Sequence, residues 1–345
     1  MQNLLQAAAV PQSKHAGVQK ALHTAFPGAE VQSITALSGG LSTGLVYKVL
    51  VEGQSFVLRI NMNPNALSDP VREYQCMRLA AEAGVAPAVY YTNQDDAIAI
   101  TQFIEPVPLR DAFNSSREQL LVHLAETIKT IHATPRFPEL VNFMDGVDGF
   151  IADFQASKRL PERATAEHFA YYAEIQKHYP RYEGDLVSSH NDLNYNNILF
   201  DGKKVWIIDW EAAFANDRYV DLANVGNGFV ATEELEERFL RAYFGDTLDE
   251  GKWARYYLMR QTCHFFYAMV MFKMIDVQLP QGATHDASMD TPRLSEFHQQ
   301  IGAGEISLAS YEGKLLYAKV ILNEALHNMK SPRFQRALQQ IKVTA

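Results

Sequence analysis

A small antiparallel β lobe followed by a larger helical one, an α+β chain of two lobes, is what these 345 residues predict. Three observations carry the expectation: strand-like alternation confined to roughly the first hundred residues, a switch to helical period after a pair of prolines, and a length with room for two lobes of about 150 residues each. Residues 31–37, 46–51 and 56–60 alternate in polarity. The first two are joined by Ser38-Gly39-Gly40-Leu41-Ser42-Thr43-Gly44 and the last two by a turn at Glu52-Gly53, which reads as three antiparallel strands with a glycine-rich first hairpin. Asp69-Pro70 opens a helix running to Ala83, since proline suits a first helical turn and Gly84 a stop. Tyr90 and Tyr91, then residues 97–104, read as two more strands. Pro106 and Pro108 cannot continue a sheet. They place a boundary near residue 105, between an N-terminal lobe of residues 1–105 and a C-terminal lobe of residues 106–345.

Beyond that boundary Leu120, Leu121, Leu124, Ile128 and Ile131 form one apolar helical stripe, residues 169–178 belong to another helix, and residues 253–277 form a long aromatic-rich one. Two short strands interrupt, residues 197–200 and 205–209, joined by Asp201-Gly202-Lys203. Neither an internal repeat nor a low-complexity segment is present.

Composition narrows the function. Hydrophobic residues are 47% and charged residues 21%, the balance of a folded globular chain. Lys plus Arg number 31 against 40 Asp plus Glu, so the net charge is −9, which argues against broad binding to nucleic acid or an acidic membrane and suits a cationic small substrate better. Cys76 and Cys263 lie far apart with no metal-ligand spacing, so neither a disulfide framework nor a zinc site is expected, and a reducing cytoplasm is the expected compartment. Residues 1–10 have no basic residue ahead of their short apolar run and do not read as a secretory signal. The most apolar stretch, residues 265–272, is far short of the roughly 20 residues that span a bilayer.

The most informative stretch is Ser188-Ser189-His190-Asn191-Asp192-Leu193-Asn194-Tyr195-Asn196-Asn197-Ile198-Leu199-Phe200, followed by Val205-Trp206-Ile207-Ile208-Asp209-Trp210-Glu211. Phosphoryl transfer from ATP needs a carboxylate at the acceptor hydroxyl and oxygen ligands that hold Mg²⁺ against the phosphates. Asp192, Asn197 and Asp209 supply that set. Asn197 follows Asp192 by five residues, which lets a tight loop bring the two to one cleft, and Asp209 ends the second hairpin strand. Taken singly, each of these residues would read as a turn cap; the joint pattern is what points to chemistry.

With these motifs the sequence resembles the choline/ethanolamine kinase and aminoglycoside phosphotransferase group of small-molecule kinases, from about Ala36 to Asn224. The resemblance implies a bilobal protein-kinase-like fold, with Asp192 as the catalytic Asp, Asn197 and Asp209 as Mg²⁺ ligands, and ATP as phosphoryl donor. His190 then supports the loop from behind, and Asp221, in Asp221-Leu222-Ala223, braces it. Arg59 stands where protein kinases carry a strand Lys, and Glu73 where its ion-pair partner would be. Gly39 and Gly40 would approach the phosphates through backbone N–H groups, though a Gly-Gly hairpin is also simply a turn. Gln102 and Ile104 flank Phe103 in what would be the adenine-binding hinge. Two positions depart from the family pattern: Thr43 stands where many relatives have Asn, and Ala212 where choline kinases usually show Tyr.

The acceptor is expected to be a small molecule, with an amino-alcohol such as choline or ethanolamine leading and an aminoglycoside or another hydroxylated metabolite behind. Trp253 and Tyr257 on the aromatic helix, with Glu211, are the candidates for holding an ammonium group. The same aromatics would equally pack a helical core. A pseudokinase that binds nucleotide without transfer is the alternative of another class, and retention of Asp192, Asn197 and Asp209 argues against it.

Overall fold

The computed structural model describes residues 1–37, 44–181 and 183–344. Gly39, Gly40 and Thr43, which the resemblance places in a phosphate loop, lie outside them. The chain divides into two compact units, one of residues 1–140, 187–221 and 228–245, the other of residues 141–186, 222–227 and 246–345.

The first unit opens with helices α1 (Gln2–Ala7) and α2 (His15–Ala25), which the alternation of residues 31–60 did not announce. Strands β1 (Val31–Ala36), β2 (Leu45–Val51), β3 (Gln54–Ile60), β4 (Val89–Asn93) and β5 (Ile98–Gln102) form one antiparallel sheet in the order β1-β2-β3-β5-β4. Strand period 2 divides its faces. Tyr47, Val49, Phe56, Leu58, Ile60, Ile98 and Ile100 form a continuous core with Leu5, Val18 and Leu22 of the first two helices. Pairing of Val46 with Arg59 and of Arg59 with Ala99 places the Arg59 side chain on the opposite face. Helix α3 (Pro70–Glu82) starts where the sequence indicates: Asp69 caps it by accepting from the Val71 N–H at 3.1 Å, with Pro70 in the first turn.

Helix α4 (Arg117–His132) buries the predicted stripe Leu120, Leu121, Leu124, Ile128 and Ile131. Helices α5 (Phe143–Ser157) and α6 (Glu162–His178) precede β6 (Leu186–Ser189) and the hairpin of β7 (Ile198–Phe200) and β8 (Val205–Ile207). That hairpin is shorter at its ends than the sequence suggests. Asp201 shapes its turn, accepting from Lys203 and Lys204 N–H groups and from Trp206 Nε1. Then come β9 (Phe214–Asp217), α7 (Arg218–Phe229) and α8 (Glu233–Phe244).

The first unit runs past the boundary expected near residue 105, and its hydrogen bonds give the reason. Ile207 N–H donates to Val85 O at 2.8 Å, Val107 N–H to Phe200 O at 2.7 Å, and Lys204 Nζ to Gly84 O at 2.7 Å. The hairpin is thereby fastened to the segments around the sheet. Arg72, buried on α3, adds four carbonyl acceptors: Ala66 at 2.8 Å, Leu67 at 2.6 Å, Glu211 at 3.0 Å and Ala213 at 3.1 Å.

The second unit is helical. Helix α9 (Glu250–Asp276) is buried along most of its length and packs with α5, α6, α11 (Tyr311–Met329) and α12 (Pro332–Thr344), while α10 (Leu294–Gly302) lies on α11. Among the described residues no helix is long and apolar enough to cross a membrane.

Arg72→Met removes all four carbonyl contacts and leaves buried acceptors unmet, so a loss on the order of 3 kcal/mol in unfolding free energy is expected. Chemical denaturation of this variant beside Arg110→Met, whose side chain is exposed, measures it; the second should be close to silent.

Candidate active site

The site lies in the first unit and is built from three segments: β3 with α3, the loop after β6, and the turn after β8. The loop after β6 is shaped from beneath. Asp221, 0% exposed, accepts the N–H of His190 at 2.8 Å and of Asn191 at 2.7 Å. The oxygen bonded to His190, Oδ2, also meets His132 Nε2 at 3.1 Å, and His132 Nδ1 in turn meets the Tyr243 hydroxyl at 2.6 Å. Burial opposes the charge on Asp221, but His132 and the N–H donors outweigh it and hold the carboxyl below its ordinary range.

His190 is likewise fully buried. Its Nδ1 accepts the Asp192 N–H at 3.3 Å, so the proton resides on Nε2, which donates to Ile208 O at 3.0 Å. The ring packs edge-on to Trp210, 4.7 Å between centroids. His190 therefore joins the loop to the strand that leads into Asp209. Asn191 adopts the left-handed region at φ 67 and makes the same connection further on: its Nδ2 donates to Ala212 O at 2.9 Å, and its Oδ1 accepts from Asn216 at 2.7 Å.

On this base Asp192 and Asn197 come together as their spacing suggests. Asn197 Nδ2 donates to Asp192 O and to Asp192 Oδ2, both at 2.9 Å. The amide nitrogen thus fixes the Asp192 carboxylate, and the remaining atom, Asn197 Oδ1, is of the oxygen type that hard cations take as ligand. Asp209 has φ 65, a left-handed position for a non-glycine residue at the bend where β8 gives way to a 3₁₀ turn.

Arg59 joins the sheet to this bend. Its Nη1 donates to Asp209 Oδ1 at 2.6 Å and lies 3.3 Å from Glu73 Oε1, while Nη2 donates to Glu211 Oε2 at 2.6 Å. The expected Arg59–Glu73 pair is present, and Asp209 and Glu211 complete a cluster of three carboxylates around one guanidinium. Burial alone would lower the Arg59 pKa, but Asp209, Glu73 and Glu211 together outweigh it and raise it. Burial pushes Glu73 up to about 7 against the pull of Arg59, with Glu211 and Asp209 adding to the rise. Glu211 is raised as well, by burial first and then by Asp209.

The donor set suits a hard divalent cation: carboxylate and amide oxygens, with more carboxylates than arginine can neutralise. Among the described residues no three His, Cys, Asp or Glu side chains form a self-contained metal cage. An ion held by Asp209 and Asn197 would complete its shell with phosphate oxygens and water, the usual arrangement for Mg²⁺.

The hinge candidates sit at the end of β5. Gln102 N–H is already bonded to Ala88 O at 2.8 Å, which commits that amide to the chain itself. Trp253 and Tyr257 belong to α9 in the second unit. Tyr257 is 5% exposed, its hydroxyl donates to Asn328 O at 2.6 Å, and the Arg333 guanidinium covers its ring at 4.5 Å and that of Trp253 at 6.0 Å. Their aromatic faces already meet a cation of the chain itself. His132, Tyr243, Asn216 and Arg72 were missed by sequence reading; a histidine closing the apolar stripe of α4 was the one local signal.

Residues 33–258 match the family model described as the phosphotransferase enzyme family. The chain belongs to that family. Among curated proteins it is 28% identical over 167 residues to an uncharacterized protein of Metamycoplasma hominis, covering 46% of this chain but only 30% of that one. It is 23% identical over 209 residues to the protein LicA of Haemophilus influenzae, covering 57% and 74% of the two chains. The crystal structure of a choline/ethanolamine kinase family protein from Mesorhizobium loti is similar with a TM-score of 0.64 at 19% identity, over 95% of this chain and 99% of that one. Aminoglycoside phosphotransferases are also among the structural neighbours. The fold of this family member is the protein-kinase-like one that its motifs implied.

Glu73 generates a pH prediction. Its folded pKa lies above the ordinary value of 4.5, so the folded chain binds the extra proton, and this contribution to stability is present at low pH and lost as pH rises toward 7. Glu73→Gln removes the titration. Urea midpoints from pH 5 to 8 should show the wild type losing ground steadily to the variant as pH rises.

Proposed function

We propose that this phosphotransferase family member transfers the γ-phosphoryl group of ATP to a hydroxyl of a small molecule, with an amino-alcohol such as choline or ethanolamine as the leading acceptor. The observation that carries the reaction is the Asp192–Asn197 pair set beside Asp209 through His190 and Asn191. Asp192 orients the acceptor hydroxyl and takes its proton late in transfer. Asn197 holds that carboxylate in place while offering Oδ1 to the metal. Asp209 and Asn197 would hold Mg²⁺, which supplies charge neutralisation of the phosphates when bound. Arg59 contributes a fixed positive charge toward the phosphates, and Ile104 a main-chain contact for the base. Similar structures hold AMP, GDP or ADP, which supports nucleotide as the donor.

The amino-alcohol reading has support in the net charge of −9 and in the choline kinase names carried by similar structures. Aminoglycosides are the competing acceptors. Incubation with ATP, Mg²⁺ and a panel of both classes tests the reading: turnover with choline or ethanolamine is the expected result, and turnover with aminoglycosides alone would replace the acceptor while keeping the reaction.

Asp192→Asn keeps the shape and removes the charge. We expect kcat to fall by at least about a hundredfold with nucleotide affinity little changed. Asp201→Asn is the matched control, because Asn retains the oxygen that accepts the Lys203 and Lys204 N–H groups of the turn and gives up only the bond from Trp206 Nε1, and it should leave turnover near wild type. Equal turnover in the two variants would remove Asp192 from the catalytic role, and nucleotide binding by a wild type that shows no turnover would assign the chain to binding without transfer.

Asp209→Ala should abolish turnover and weaken Mg²⁺-dependent nucleotide binding while circular dichroism reports an intact fold. Undiminished turnover would remove Asp209 from the metal site.

A further inference from the structure

Arg59 has two terminal amino groups, and they face different carboxylates. Nη1 is on Asp209 at 2.6 Å, with Glu73 at 3.3 Å, and Nη2 is on Glu211 at 2.6 Å. Arg59 Nε is buried with no hydrogen-bond partner, so the two amino groups alone orient the guanidinium. A divalent ion on Asp209 would compete directly with Nη1, because both are cations seeking the same carboxylate. Once displaced, Nη1 is the group that can turn to phosphate. Glu73 then holds Arg59 only through that same amino group, and at the longer distance. Glu211 holds the other one.

Glu211 is well placed for such a task. It lies two residues after Asp209 in the same 3₁₀ turn, and its backbone carbonyl is held by Arg72 at 3.0 Å, with Ala213 O held by the same side chain at 3.1 Å. The carboxylate that retains Arg59 and the carboxylate that would release it are therefore carried on one rigid bend.

We propose that Glu211 is a positioning residue for Arg59: it retains Nη2 while Nη1 moves from Asp209 to the nucleotide phosphates, so that the guanidinium turns about one anchored edge and stays in the cleft. This rests on the phosphotransfer reading and changes the role that sequence alone suggested for Glu211, which was to meet an ammonium group of the acceptor.

Titration calorimetry with the magnesium complex of a non-hydrolysable ATP analogue tests it on the full chain, without turnover. Glu211→Ala should weaken binding about 5- to 20-fold, and Arg59→Ala at least as much. The double variant should bind no more weakly than Arg59→Ala, because an anchor has no effect once its cation is gone. Glu211→Gln, which keeps an acceptor for Nη2, should recover part of the loss and carries the test if the alanine variant does not fold. In turnover assays the acceptor KM of Glu211→Gln should stay within about twofold of wild type. Three results would overturn the proposal: unchanged analogue binding in both Glu211 variants, an equal loss on adding Glu211→Ala to the Arg59→Ala background, or a rise confined to the acceptor KM. The second would make Glu211 a direct metal or nucleotide ligand, the third an acceptor ligand. Failure of the wild type to bind the analogue at all would instead overturn the phosphotransfer reading on which this one stands.

Discussion

The fully buried carboxylate of Asp221 accepts the two consecutive N–H groups of His190 and Asn191 and is steadied by His132. Two adjacent amide hydrogens aimed at one carboxylate fix the peptide plane between them, and with it the direction in which the chain leaves toward Asp192. A buried carboxylate without such donors would be costly to ionise; here the donors are the loop itself. Loop geometry and the stability of the buried charge are thus one interaction seen from two sides. The side chains above it follow: His190 reaches Ile208, Asn191 reaches Ala212, and the bend carrying Asp209 is held at a set position relative to Asp192.

A second constraint is electrostatic. Glu73, Asp209 and Glu211 surround Arg59; burial first, and then repulsion among the carboxylates, raises Glu73 and Glu211 against the pull of that one guanidinium. Such a cluster favours any further cation that can enter. A metal that entered would meet the site's own arginine at Asp209.

What was legible in the sequence was local. Asp192 and Asn197 meet because five residues of tight loop bring them together, Asp209 follows from the hairpin, and α3 is announced by Asp69-Pro70. The Arg59–Glu73 pair was legible through family resemblance. The loop's support was not, because His132 and Tyr243 reach Asp221 only when α4 and α8 have packed, across 89 residues in the first case. The third and fourth members of the Arg59 cluster were hidden for the same reason: Asp209 and Glu211 are 150 and 152 residues away, and nothing in a linear pattern says which carboxylate a guanidinium will choose. The N-terminal helices were hidden differently, their apolar positions being too few in α1 to show a period. On α9 the aromatics were visible but their role was not, since a buried ring and a ligand-binding ring have the same spacing.

Asn191 shows how backbone and side-chain demands combine at one position. Its φ of 67 is one that glycine adopts without strain, whereas an L side chain there costs on the order of 1–3 kcal/mol. Asparagine is among the residues that tolerate the left-handed region best, because its short amide can bond locally. Here the amide bonds further afield, to Ala212 O, Phe214 O and Asn216 Nδ2. A glycine would relieve the backbone and lose all three of these bonds between the loop and the segment following Asp209. The strained residue is therefore one that ties the loop of Asp192 to the segment after Asp209, and its conformational cost is offset within the same side chain.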